Sequence, residues 1–158
     1  MKASFMGDWQ AAKAIIDERQ ELVQFSITAN QETLLHLAAS AENTKQTQDF
    51  LQNLVNMLEM NDLKLEDRNS RNAFQIAVAN GSLEMVDIML RKNQAVLSIP
   101  NMKNGFPLSI SAFFGHHDLT RHLYQLSEGT IRGSKSYYRF VFLSDTTPLG
   151  LENSSIKH

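Results

Sequence analysis

Three short segments of similar pattern recur along the chain, and that recurrence constrains the fold more than any bulk property does. TLLHLAA at 33–39, NAFQIAVA at 72–79 and FPLSISAF at 106–113 share a polar residue flanked by apolar ones. These residues, His36, Gln75 and Ser109, lie 39 and then 34 positions apart. A second series interleaves with the first: GDWQAAKAII from Gly7, GSLEMVDIML from Gly81 and GHHDLTRHLY from Gly115. Its fourth member, TQDFLQNLVNML from Thr47, lacks the glycine and follows an insertion, SAENTKQ, which accounts for the longer first spacing. A fixed period of a few tens of residues signals stacked supersecondary units.

Each unit reads as a helix pair, with 72–90 as its clearest copy: two short amphipathic helices meeting at a turn placed by Asn80 and Gly81. Apolar residues at Met85, Val86, Ile88, Met89 and Leu90, and at Phe50, Leu51, Leu54, Val55 and Leu58, follow the spacing of a helix with one buried face. Glu84, Asp87, Arg91 and Lys92 take the other side. The first helix of each pair is short and alanine-rich, which allows close backbone approach. One pair is too thin to bury its own apolar face, so the pairs must stack. The expected fold is an all-α solenoid of about four helix pairs, the first incomplete, with an irregular C-terminal tail.

Between pairs lie loops of turn-forming residues at 28–32 (TANQE), 67–72 (DRNSRN) and 101–105 (NMKNG). Asn, Asp, Ser and Gly bend the chain by tolerating positive φ or by bonding their own backbone, so these loops are expected to form hairpin tips. The third is expected to be one residue short. Glu59, Asp62, Glu66 and Asp67 gather near the second outer helix and read as a solvated acidic end.

Composition limits the partners. The 158 residues carry a formal net charge of −2 and no cysteine, which leaves no global electrostatic case for nucleic acid and no disulfide or thiolate site. No window approaches roughly 18 consecutive apolar residues, so the sequence as given is expected to be soluble and without a membrane span.

At these residues the chain resembles the ankyrin-repeat family. Thr33-Leu-Leu-His36-Leu-Ala-Ala keeps the family's helix opening except for its proline. Asn72-Ala-Phe-Gln75 keeps the spacing, and Pro107-Leu108 with Gly115-His116 fit the third copy. The resemblance implies that Thr33 and His36 exchange a side-chain hydrogen bond and that His36 bridges to a neighbouring loop. It also makes Thr33, His36, Gly81, Pro107 and Gly115 structural. In the second copy, either Asn72 and Gln75 replace that bond or neighbours hold the helix. More narrowly, the phrases at 7–13, 32–36 and 80–84 look like plant ankyrin-repeat proteins, many of which act in stress and defence signalling and carry a C-terminal membrane segment with a Pro-Gly-Gly motif. This sequence lacks that segment, so the resemblance implies an isolated cytosolic ankyrin portion.

The implied function is non-catalytic protein recognition through loop tips and the concave inner-helix face. The candidate contacts are Asn30, Gln31, Glu32, Asn69, Ser70, Arg71, Asn80, Lys103, Asn104, Phe113 and Phe114. The two phenylalanines replace small or polar residues and serve either as aromatic anchors or as packing under the next segment. No small-molecule substrate, cofactor or metal is expected. His116, His117, Asp118 and His122 form the densest ligand-like cluster, yet Gly-His is the ordinary repeat turn and three converging ligands are lacking. No phosphate loop or nucleophile motif is present.

The domain is expected to span 1–127, with 128–158 as a tail that Gly129 and Gly133 separate from the last helix. Its aromatic run at 137–142 reads as a cap folded back over the last pair, as a disordered segment, or as a partner-binding one. The alternative to recognition of a different protein is a truncated or regulatory structural fragment that self-associates, or assembles with further repeats, through its ends and aromatic tail. Arg132, Lys135 and Arg139 are thin support for nucleic-acid or lipid contact.

Overall fold

The computed structural model describes residues 8–102 and 105–130. Seven α-helices run through them: α1 (Trp9–Glu18), α2 (Leu34–Ala39), α3 (Lys45–Met57), α4 (Ala73–Ala79), α5 (Leu83–Lys92), α6 (Pro107–Phe113) and α7 (His117–Thr130). Short 3₁₀ turns at Gln20–Val23, Asp62–Lys64 and Gln94–Ser98 carry the chain from each outer helix towards the next loop.

Local chemistry sets where each helix starts. Asp8 caps α1 by accepting from the Ala11 amide at 3.0 Å. Thr44 opens α3 and exchanges bonds with Thr47, so SAENTKQ supplies a short turn and then the first turn of the helix. Pro107 at the first position of α6 gives up no helical hydrogen bond and arrives with a suitable φ. Gly81 and Gly115 end the inner helices at φ of 72° and 76°, the left-handed region that glycine reaches most cheaply.

The helices form two rows. Inner helices α2, α4 and α6 stack in order, outer helices α3 and α5 pack side by side, and each inner helix packs on its own outer partner. One apolar layer runs between the rows, through Phe50, Leu51, Leu54, Leu63, Phe74, Met85, Met89 and Leu123, all almost completely buried. Burying each such side chain contributes about 1.5–3 kcal/mol. Helix α1 has no inner partner among the described residues; it covers the N-terminal end of the layer through Ala12, Ile16 and Trp9, whose ring meets Phe50 edge-on at 5.3 Å.

Three expectations are corrected. The third loop is not short: the amide of Asn101 bonds the carbonyl of Gly105 as Asp67 bonds Arg71, at 3.0 and 2.9 Å, so both loops close over the same interval. Gly129 does not end the last helix, since α7 runs through it to Thr130. The acidic group at 59–67 is not uniformly solvated, because Asp62 and Asp67 are buried. The expected aromatic run at 137–142 lies outside the described residues.

Candidate recognition surface

The first two inner helices open on a reciprocal polar lock; α6 opens on Phe106 without a side-chain cap, and the Ser109 hydroxyl donates to the Phe106 carbonyl at 2.8 Å instead. In the first, the Thr33 amide and hydroxyl both donate to His36 Nδ1, at 3.2 and 2.8 Å, and His36 Nε2 donates to the Arg71 carbonyl at 3.1 Å. That network requires the neutral imidazole with its proton on Nε2. Burial pushes the His36 pKa below its ordinary value, against the opposing pull of the Arg71 carbonyl and of Asp67 and Glu32. In the second, Asn72 and Gln75 rebuild the lock with amides. Gln75 N donates to Asn72 Oδ1 at 2.9 Å, Asn72 N donates to Gln75 Oε1 at 3.2 Å, and Gln75 Nε2 reaches the Ile99 carbonyl at 2.9 Å. Both locks tie one helix pair to the loop of the next.

The loops share a second lock that the sequence reading missed. Thr28 Oγ1, Asp67 Oδ1 and Asn101 Oδ1 each accept from the backbone amide four residues on, at Glu32, Arg71 and Gly105, over 3.3, 3.0 and 2.8 Å. The three positions recur at the same intervals as His36, Gln75 and Ser109, which was the available signal. At Asp67 the lock is complete. Burial raises its pKa, but bonds from the Arg71 guanidinium at 2.6 and 3.0 Å and from the Arg71 and Asn69 amides outweigh it and hold the carboxyl below its usual value.

These locks position several of the expected contact residues. Asn30, Gln31 and Asn69 are exposed at the tips, and Glu32 and Ser70 are half-buried. Gln31 and Ser70 occupy equivalent points of their loops at positive φ, 60° and 52°, without glycine. The Arg68 amide bonds the Asn30 carbonyl at 2.7 Å, which joins the first two tips into one edge. Glu32 accepts from Thr28 Oγ1 at 2.8 Å, and the Arg71 guanidinium is committed to Asp67, so both serve the loops as well as their surface. Lys103 and Asn104 lie outside the described residues.

Asn80, Phe113 and Phe114 do not join that edge. They sit at the far ends of α4 and α6, and a seven-residue helix separates its two ends by about 10 Å. Phe113 is 84% exposed and Phe114 55%, with their rings perpendicular at 5.2 Å. Phe114 also stacks on His116 at 6.3 Å. The surface therefore has a polar edge of loop tips and a separate aromatic corner.

The histidines beside that corner are turned to neighbouring repeats. His116 Nε2 donates to the Ala79 carbonyl at 2.7 Å, and its ring lies over Gly81, where a Cβ would come within 2.5 Å of it. His122 Nε2 meets Asp87 Oδ1 of α5 at 2.7 Å, while Asp118 pairs with Arg121 at 3.3 Å. Asp118 and His122 thus look to different partners.

Recurring helix pairs, locked loop to loop and buried along one shared layer, define a helical repeat solenoid. A family model for ankyrin repeats matches residues 35–132 with three copies, and the chain belongs to the ankyrin-repeat family. Among curated proteins, none matches it. Ankyrin repeats are in general protein–protein interaction modules, and the family is typically non-catalytic. Among the described residues, no helix is long and apolar enough to cross a membrane.

Proposed function

We propose that this chain recognises a protein partner through the inner row of the stack. Loop tips at 30–32, 69–71 and 103–104 supply polar contacts, Asn80 adds one at the end of α4, and Phe113 and Phe114 supply the apolar anchor. The observation that carries the reading is the exposure of two adjacent phenylalanines where the preceding repeat has Ala79 and Asn80. Large aromatic side chains left in water next to each other cost free energy, and clusters of this kind mark interaction sites. The module works as a non-catalytic adaptor, with His36 spent on holding Thr33 and the next loop. The narrower likeness to plant ankyrin-repeat proteins supports a cytosolic setting in stress or defence signalling.

Affinity capture from the source cell with the full chain, compared with a Phe113→Ala, Phe114→Ala double variant and with Asn69→Ala, tests this. The proteins retained by the wild type should be lost from the double variant and reduced with Asn69→Ala, while all three chains unfold at the same temperature. Equal retention by the three would overturn the reading. Arg71→Ala is a poor probe, because it also strips the buried Asp67 carboxylate of its partner.

A further inference from the structure

Outer helices α5 and α7 leave a groove of about 640 Å³ between their C-terminal halves. Leu90 and Leu97 line it together with Asp87, Arg91, Gln94 and His122, and Leu126 stands 37% exposed at its edge. Helix α7 is written differently from α5 at this point. Where the last turn of α5 has Arg91 and Lys92, the repeat-equivalent residues of α7 are Gln125 and Leu126. In α7 these positions lie one turn inside the helix, which runs on to Thr130, and basic side chains there would keep this wall of the groove in solvent. Replacing them with a glutamine and a leucine makes this turn suited to being covered.

We propose that the segment at 137–143, YYRFVFL, docks in cis into the groove between α5 and α7 and closes the C-terminal end of the stack. The chain leaves α7 at Thr130, one helical turn or about 6 Å beyond Leu126, so it emerges beside the groove and not beside the aromatic corner. Residues 131–137, extended, span about 20–25 Å, enough to turn back along α7. In a strand, Tyr138, Phe140 and Phe142 share one face, an unbroken aromatic row to set against Leu90, Leu97 and Leu126. A tether this short gives an effective concentration in the millimolar range, which favours the chain's own segment over that of a second copy at micromolar protein.

The chain has no cysteine, so an introduced pair reports cleanly. In the full-length Gln94→Cys, Ser144→Cys variant, a short bismaleimide should link the two positions within one molecule. Hydrogen exchange in the wild-type chain should show amides of 137–143 slowed about tenfold or more relative to an unstructured chain. Phe140→Asp with Phe142→Asp should abolish both the link and the protection and leave α2 and α4 protected. Unstructured exchange rates in the wild-type segment would overturn the proposal. So would protection that survives the aspartates. Links formed only between molecules, with a doubled mass, would show a second copy in the groove and overturn docking in cis.

Discussion

The two junctions of this stack are built from the same parts and closed to different degrees. Between the first and second full pairs, both rows pack: α2 against α4 and α3 against α5, with His36 bonded to the Arg71 carbonyl and Asp67 sealed by Arg71. Between the second and third, the inner row still packs and Gln75 still reaches across, but α5 and α7 enclose an open groove bridged by His122 and Asp87. The inner row carries the polar locks at both junctions, so it is held in register by hydrogen bonds as well as by burial. The outer row has its side-chain bonds near the surface, Arg91 to Gln52 and His122 to Asp87, and it opens where His122 stands at the repeat position of the buried Ile88.

The sharpest way to break this contrast is one truncation on each side of it. Leu51 on α3 is fully buried, and Leu51→Ala should cost about 2–5 kcal/mol through lost burial and the cavity left behind. Leu126→Ala, at the edge of the groove, should cost about 1 kcal/mol or less when Phe140→Asp and Phe142→Asp keep the tail out of the groove. Urea denaturation of both variants measures the pair. Equal costs would show that the second junction is as closed as the first.

A second comparison uses the two turn glycines. Each has positive φ, so alanine at either strains the backbone by about 1–2 kcal/mol. Only Gly81 is covered from the next repeat: a Cβ there would drive the His116 ring away and endanger its bond to the Ala79 carbonyl. Gly81→Ala should therefore cost about 2–3 kcal/mol and Gly115→Ala about 1–2 kcal/mol, read from thermal unfolding. A reversed order would mean that the His116 bridge contributes nothing.

What could be read from the sequence was whatever depends on the chain's own near neighbours. The alternation of helix pairs, the turn glycines and the substitution of Asn72 and Gln75 for Thr33 and His36 all lie within one period, and each has its expected place in the structure. What escaped depends on the residues brought alongside by the neighbouring repeat. His122 and Asp118 stand one helical turn apart, yet His122 bonds Asp87 from another helix, and no local spacing announces that choice. Asp67 is the exception: it looked like one of four surface acids, yet its partner Arg71 lies only four residues on in the same loop, so that signal was local. The groove arises from the relative placement of two helices, which neither helix's sequence encodes by itself. For the contact residues, the tips at 30–32 and 69–71 were legible as loops, whereas the distance between them and Phe113 followed only from the length of α6.

The lock at the middle pair carries a small defect that can be used. Asn72 matches Thr33 as the helix cap, but its second amide hydrogen-bonding atom, Nδ2, is buried without a partner among the described residues. A buried donor left unpaired costs about 1–3 kcal/mol, part of which the present lock already offsets. Asn72→Thr removes that donor and keeps the capping oxygen, so it should raise stability by about 1 kcal/mol. Asn72→Ala removes both and should lower it by about 1 kcal/mol. A loss of stability with threonine would show that the amide matters for more than its oxygen.

The smallest expected effect separates the two locks by pH. Protonating His36 would put a hydrogen on Nδ1, against the Thr33 amide that now donates to it, and burial adds to the cost. The folded-state pKa is therefore below the ordinary 6.5, and as pH falls through that value the unfolded chain takes up the proton first. Stability is complete above it and declines towards the lower folded pKa. Asp67, held below its ordinary 3.8, adds a loss of the same sign in stronger acid, as the folded carboxylate is finally protonated. Gln75 has no proton to take up, so the second junction does not share the His36 slope. Denaturation midpoints at about pH 7.5 and about pH 5.5 should differ for the wild type and converge for His36→Gln, which copies the amide lock into the first junction. A slope that persists in that variant would move the titrating group away from the lock.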